Sequence, residues 1–74
     1  MLQYTVIKNH MQNAIGTYDS FGMAVSDNGL IIKVFEDLTF IKDEIDALVD
    51  LCNNEQVELV HIDDVVENFL LYGV

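Results

Sequence analysis

The hydrophobic pattern of this 74-residue chain changes its period at Glu36, and the change decides which elements each half can form. Before Glu36 the apolar residues alternate, as Leu2, Tyr4 and Val6 do, which is the two-residue repeat of a strand with one buried face. After Glu36 they recur at intervals of three and four residues, which is the repeat of an amphipathic helix. We therefore expect an α+β domain in which strands come first and helices follow.

The Asn28-Gly29 pair predicts a two-residue hairpin turn, because both residues tolerate the positive φ angles of a type I′ turn. Counting outward from this turn gives three cross-strand pairs, which are Asp27 with Leu30, Val25 with Ile32, and Met23 with Val34. The same register places Ile31 and Phe35 on the other face of the sheet. A third strand is predicted at the start of the chain. Residues 9–17 are expected either to connect it to the hairpin or to extend one of the two strands through Met11 or Ile15.

Two helices are predicted in the second half of the chain. The apolar stripe of the first consists of Ile41, Ile45, Leu48, Val49 and Cys52, and that of the second of Ile62, Val65, Val66, Phe69 and Leu70. Thr39 is predicted to cap the first helix and Asn53-Asn54 to end it. Asp63 and Asp64 are expected in the first turn of the second helix, with Gly73 beyond its end.

These elements give one predicted domain, residues 1–74. An antiparallel sheet of about three strands forms one layer, residues 1–36, in the chain order β-β-β-α-α. A two-helix hairpin, residues 39–72, is expected to cover one face of that sheet, so that the sheet and both helix stripes share a single core.

Charge is divided unequally between the two layers. Eleven of the thirteen acidic residues follow Phe35, so residues 36–74 carry the whole net charge of −10 and residues 1–35 are formally neutral. Such a chain repels nucleic acid and anionic lipid, and it has no arginine to bind phosphate. We expect a basic or apolar protein partner, with no direct contact to nucleic acid or membrane. The acidic face predicted to bind this partner consists of Glu36, Asp37, Asp43, Asp46, Asp50, Asp64 and Glu67.

A second function is compatible with the same acids. Asp43, Asp46 and Asp50 follow each other at i, i+3 and i+7, about 4.5 and 6 Å apart along a helix axis, in a row that resembles successive phosphates. The alternative hypothesis is therefore an inhibitor that mimics nucleic acid and occupies the groove of a nuclease or a DNA-binding protein. A solvated face that only keeps the protein soluble is the simplest explanation of the row.

Apolar residues are also predicted outside the core. Leu71 and Tyr72 continue past the stripe of the second helix, and Ile31 and Phe35 lie on the outer sheet face in the predicted register. Exposed apolar patches often mark protein contacts. These four residues predict an apolar binding surface or a homodimer.

No residue pattern in the chain indicates catalysis, and we expect a non-catalytic protein without metal or cofactor. Cys52 and His61 would need to lie within hydrogen-bond reach to form a nucleophile, and Cys52 falls on the apolar helix stripe. His61 with Asp63 and Asp64 matches no metal-ligand spacing. A single cysteine excludes an internal disulfide, and the start of the chain has no signal-peptide pattern, so we expect a cytoplasmic protein.

Two segments resemble a known family. They are Leu-Val-Asp-Leu-Cys-Asn at residues 48–53 and His-Ile-Asp-Asp-Val-Val-Glu-Asn-Phe-Leu at residues 61–70. Over residues 36–71 the chain resembles a family of small uncharacterised domains from Gram-positive bacteria. The resemblance implies the fold, and it implies no activity, substrate or cofactor.

Overall fold

The chain forms a three-stranded antiparallel sheet followed by two helices that pack against it. The computed structural model describes residues 1–73, so Val74, the last residue of the predicted domain, lies outside the described residues. The elements are β1 (Leu2–Asn13), β2 (Gly16–Asp27), β3 (Leu30–Thr39), α1 (Lys42–Asn54) and α2 (Leu59–Tyr72), and the strand order is β1-β2-β3. The predicted α+β fold is confirmed, although β3 continues three residues past the predicted limit of the sheet.

Strands β1 and β2 form one long hairpin, so residues 9–17 extend the strands, through Met11 in β1, and the expectation of a separate connector is wrong. The pairing is unbroken from Leu2 opposite Asp27 to Asn13 opposite Gly16. At the tip, the Asn13 side-chain oxygen accepts hydrogen bonds from the backbone N–H of Ile15 (2.8 Å) and Gly16 (3.2 Å). Ile15 is 96% exposed. Alternation of apolar residues identifies strands with one buried face, and the tip of this hairpin has none.

The predicted type I′ turn is confirmed, but the register beyond it is not. Asn28 and Gly29 have φ angles of 52° and 85°, and Asp27 pairs with Leu30 as expected. Ser26 still pairs with Ile31 in the predicted register, and beyond this pair the pairing shifts by one residue. The observed pairs are Val25 with Lys33, Ala24 with Val34, and Met23 with Phe35. Ile32 is the extra residue of a β-bulge, which makes the predicted pairs Val25 with Ile32 and Met23 with Val34 wrong.

This bulge exchanges the two faces of β3. Phe35 now lies opposite Met23 and packs against the core, so its predicted place on the outer sheet face is wrong. Ile32 and Val34, which were expected in the core, are exposed instead. Ile31 is exposed, as expected, because it lies between the turn and the bulge. A shift of one residue moves a side chain to the other face because strand side chains alternate.

The pairing of β2 with β3 is irregular at a second place, around Gly22. Phe21 pairs with Thr39 and Met23 with Phe35, so Gly22 faces three residues of β3. A Cβ atom on Gly22 would lie 2.1 Å from the carbonyl oxygen of Phe35. Opposite it, Asp37 has a φ of 60°, and its carboxylate accepts a hydrogen bond from the buried hydroxyl of Ser20. Only glycine leaves room for the two strands to approach this closely.

The core lies between the sheet and both helices. Its buried members are Tyr4, Phe21, Met23, Val25, Ile45, Leu48, Val49, Cys52, Ile62, Val66 and Phe69, and Val65 packs against them. Two residues predicted for the helix stripes are exposed instead, Ile41 and Leu70. Ile41 precedes α1 in an extended conformation. Leu70 is rotated by about 100° around the helix axis from its buried neighbour Phe69, so its side chain does not face the sheet.

The start of α1 differs from the predicted cap by two residues, whereas its end agrees in position with the prediction. Thr39 is not the N-cap of α1, and Ile41 occupies that position. The Thr39 hydroxyl instead accepts from the N–H of Ile41 (3.1 Å) and donates to the Glu44 carboxylate (2.9 Å). α1 ends at Asn54, as predicted, but the left-handed residue that follows it is Gln56 (φ 49°) rather than Asn53 or Asn54.

The ends of α2 agree in part with the prediction. The helix begins at Leu59, two residues before His61, and its first turn contains no acidic residue. The prediction that Asp63 and Asp64 lie in this first turn is therefore wrong, and they lie in the second turn. Gly73, with a φ of 80°, ends α2 as expected.

Candidate protein-interaction surface

The cations of the chain neutralise only a minority of its acids. Lys42 pairs with Asp46 at 2.8 Å and Lys33 pairs with Asp63 at 2.6 Å. Lys8 lies 3.9 Å from Asp19, which also accepts a hydrogen bond from His10, and the N-terminal amine pairs with Asp27 at 2.9 Å. Nine carboxylates therefore have no cation within 4.0 Å among residues 1–73.

These nine carboxylates form what we call the acidic surface. All of them are exposed, and all lie in the chain between the end of β3 and the third turn of α2. The acidic surface consists of Glu36, Asp37, Asp43, Glu44, Asp50, Glu55, Glu58, Asp64 and Glu67. No carboxylate before Glu36 belongs to the acidic surface. The two acids in that part of the chain, Asp19 and Asp27, are both paired with a basic group.

Six of the seven predicted acidic residues belong to this surface, and two of the seven have other contacts. Asp46 is outside it, because its carboxylate accepts a hydrogen bond from the Lys42 ammonium, which compensates its charge. The same bond raises the pKa of Lys42. Asp37 is exposed but accepts the hydrogen bond from Ser20, so it also supports the β2–β3 bulge. Glu44, Glu55 and Glu58 were not predicted, although the absence of enough lysines to pair them was visible in the composition.

The helical acids point away from the sheet. In α1, Asp43 and Asp50 are seven residues apart and lie opposite the buried Ile45 and Cys52 on the helix. In α2, Asp64 and Glu67 likewise lie on the side of the helix opposite the buried Ile62 and Phe69. The negative charge is therefore on the solvent side of the helical layer, where a partner can approach without displacing the core.

An apolar groove runs between the two helices on this side. Its volume is about 250 Å³, and its lining residues are Leu48, Leu51, Val65, Asn68, Phe69 and Gly73. Of the predicted apolar contacts, Leu71 and Tyr72 are both exposed at the end of α2. Tyr72 follows Asn68 by four residues and so continues the groove side of α2, whereas Leu71 follows Glu67 by four and lies among the acids.

The candidate nucleophile is a core residue. Cys52 is completely buried, and burial raises the pKa of its thiol to about 11, so it stays protonated at neutral pH. His61 is exposed. Among residues 1–73 no group of three metal-ligating side chains converges, and the depression of about 360 Å³ beside Asn53 is lined by no ionisable side chain.

The raised pKa of Cys52 predicts a loss of stability at high pH. In the unfolded chain the thiol loses its proton near pH 9, but in the folded protein it keeps the proton up to about pH 11. Between these values only the unfolded state is stabilised by ionisation, so the free energy of unfolding should fall as pH rises. Burial also raises the pKa of Tyr4, which acts in the same direction.

Urea denaturation at pH 8, 9, 10 and 11 measures this slope. The Cys52→Ala variant serves as the control, because its slope should be shallower whatever its stability at pH 8. Equal slopes for the two proteins would show that Cys52 does not have a raised pKa.

Together these features define a class of protein, a small α+β domain with a three-stranded sheet on one side and an acidic helical layer on the other. The model of a family of unknown function, DUF6514, matches residues 1–71, and the chain belongs to this family. The resemblance predicted over residues 36–71 is thus confirmed and extends through the sheet, while the Gram-positive origin stays a prediction. No curated protein and no solved structure matches the chain. None of the helices described in residues 1–73 is long and apolar enough to cross a membrane.

Proposed function

We propose that this chain is a non-catalytic protein-interaction module of the cytoplasm that binds a basic protein through its acidic surface. The observation that carries the proposal is the set of nine exposed carboxylates without a cation within 4.0 Å among residues 1–73. Like charges at this density repel one another and disfavour the compact state. Lysines and arginines of a partner would remove this repulsion and would steer the partner to the helical layer.

The groove between α1 and α2 supports the proposal in a second way. Surface charge gives fast association and selectivity, whereas affinity usually depends on a few buried apolar or aromatic anchors. Leu51 and Val65 line a groove in which one apolar side chain of a partner could be buried. Asp64 is one turn from Asn68 on the same helix, so an acid lies next to the groove. An apolar anchor flanked by basic residues is therefore the partner chemistry that fits.

The nucleic-acid mimic receives less support from the same geometry. Its row of three aspartates contains Asp46, whose charge is compensated by Lys42. The remaining two, Asp43 and Asp50, are about 10 Å apart along the helix axis. A row interrupted by a cation is a poor imitation of a phosphate backbone, which carries a charge at every nucleotide.

Capture of partners from the source cell's lysate on the immobilised protein tests the proposal. We expect a basic protein that is retained at low salt, is weakened at about 1 M salt because the Debye length falls to about 3 Å, and survives nuclease treatment. If added DNA displaces the captured protein, the mimic is favoured instead. If no basic protein is enriched over an uncoated surface, the proposal fails.

A further inference from the structure

The two edge strands of the sheet, β1 and β3, differ in whether a side chain of the helical layer bonds to their outer backbone. At β1, the Asn53 side chain accepts a hydrogen bond from the N–H of Tyr4 (2.9 Å) and donates one to the carbonyl of Tyr4 (2.8 Å). These are the two bonds that a neighbouring strand would make at Tyr4, so the amide of Asn53 caps this edge at that residue. At β3, no side chain or loop among residues 1–73 bonds to the backbone of residues 30–35 on its open side.

The open edge is also apolar. Four large aliphatic residues within five positions of β3 are exposed, Leu30 (70%), Ile31 (62%), Ile32 (42%) and Val34 (45%). Native edge strands are commonly protected from pairing by a lysine that points into solvent. The one lysine here, Lys33, points to the helical side instead, where it donates to Asp63 and lies 5.2 Å from the ring centre of Phe35. The edge therefore carries no lysine directed into solvent, and the bulge at Ile32 is the only irregularity between Leu30 and Phe35.

We infer that a second copy of this chain binds here, with β3 pairing antiparallel to β3 of the other copy about a twofold axis. The pairing would join two three-stranded sheets into one of six strands and would satisfy the open edge of both copies at once. A twofold axis has the further advantage that the same apolar residues meet their own counterparts.

Charge favours a second copy at this edge over the helical layer. Seven of the nine carboxylates of the acidic surface lie between Asp43 and Glu67, on the helical half of the chain, so two copies repel each other there. An axis at Val34 would place Val34 beside its counterpart, Lys33 opposite Phe35 and Glu36 opposite Ile32, so that no like charges meet. The acidic surface of the helices stays outside this contact, which leaves the dimer free to bind a basic partner.

The available area predicts a weak dimer. A standard interface buries about 800 Å² on each partner, which is roughly a sixth of the 5067 Å² of this protein. One short strand with its neighbouring outer face offers less than this. We therefore expect a dissociation constant of about 10–100 µM at physiological salt.

Sedimentation velocity of the full chain at about 5 µM and about 500 µM tests the inference. The mass should approach twice 8.4 kDa at the higher concentration. Val34→Lys should remain monomeric at both concentrations, because it restores a charge to the open edge. Val60→Lys is the matched control, since Val60 is 74% exposed on α2, and it should dimerise as the wild type does. Circular dichroism confirms that both variants are folded.

Hydrogen exchange provides a second measurement that needs no variant. The outward amides of residues 30–36 should exchange more slowly at about 500 µM than at about 5 µM, while the exposed helical amides show no change. A wild type that stays monomeric at about 500 µM overturns the inference, and so does a dimer that Val34→Lys leaves intact or whose β3 amides are unprotected.

Discussion

Replacing Gly22 with alanine is expected to destabilise the protein by about 3 kcal/mol or more, which is close to the whole stability of a domain of this size, roughly 3–5 kcal/mol. The new Cβ atom would lie 2.1 Å from the carbonyl oxygen of Phe35 and 3.0 Å from the Cα atom of Glu36. Both atoms belong to the backbone, so no side chain can rotate away to make room. The two strands must separate, and the bulge between β2 and β3 must be lost.

Urea denaturation followed by far-ultraviolet circular dichroism measures this effect. Gly73→Ala is the control, because Gly73 has open space around it, so that alanine there meets only the backbone strain of a φ of 80° and a ψ of −169°, about 1–3 kcal/mol. A Gly22→Ala protein as stable as Gly73→Ala would show that the strands do not approach as closely as described.

Replacing Asn53 with alanine is expected to cost about 2–3 kcal/mol, an effect second only to that of Gly22→Ala. The variant loses both hydrogen bonds to the backbone of Tyr4 and leaves a part-buried donor and acceptor without partners. These are bonds between the end of α1 and β1, so the variant also weakens the attachment of this helix to the sheet. The hydroxyl of Tyr4 cannot replace those bonds, because it already donates to the carbonyl of Val57.

Asn54→Ala is a matched control for this substitution. Asn54 is the next residue of the same helix, is exposed, and makes no side-chain hydrogen bond among residues 1–73. Both variants gain the same helix propensity from alanine, so their difference isolates the contact with Tyr4. A difference below about 0.5 kcal/mol in the free energy of unfolding would mean that the Asn53 amide does not stabilise the edge.

The helices and the turn could be predicted from the sequence because their signals are local. The stripe from Ile45 to Cys52 lies within one element, and its spacing alone fixes which face is buried. Asn28 and Gly29 likewise need only their own φ angles to define the turn. In the same way, the glycine at position 73 is enough to predict the end of α2.

The register of β3 could not be predicted because a bulge is decided by contacts between strands. Nothing next to Ile32 in the sequence marks it as the extra residue, and its apolar character suggested the core. Gly22 carried a signal that the prediction did not use, since a glycine inside a strand often marks a bulge or a close approach. The placement of Phe35 followed from the wrong register and failed with it.

Most residues of the acidic surface could be predicted from the sequence. Which of the acids are paired with a cation was harder to predict. Lys42 and Asp46 are four residues apart on one helix, so their pairing could have been predicted from the spacing. The bond between Ser20 and Asp37 joins different strands, and the pair of Lys33 with Asp63 joins a strand to a helix. Those two contacts depend on the fold, and they could not be deduced from the sequence.

The most direct test of the acidic surface compares two variants with the same change of charge. Asp50→Asn with Asp64→Asn removes two carboxylates from the acidic surface, and Asp19→Asn with Asp27→Asn removes two from the sheet. Each protein is immobilised, and basic proteins captured from lysate at low salt are quantified by mass spectrometry. We expect the helical variant to retain about tenfold less of the partner than wild type and the sheet variant to retain nearly all of it. Equal retention by both variants would contradict a binding site on the acidic helical layer.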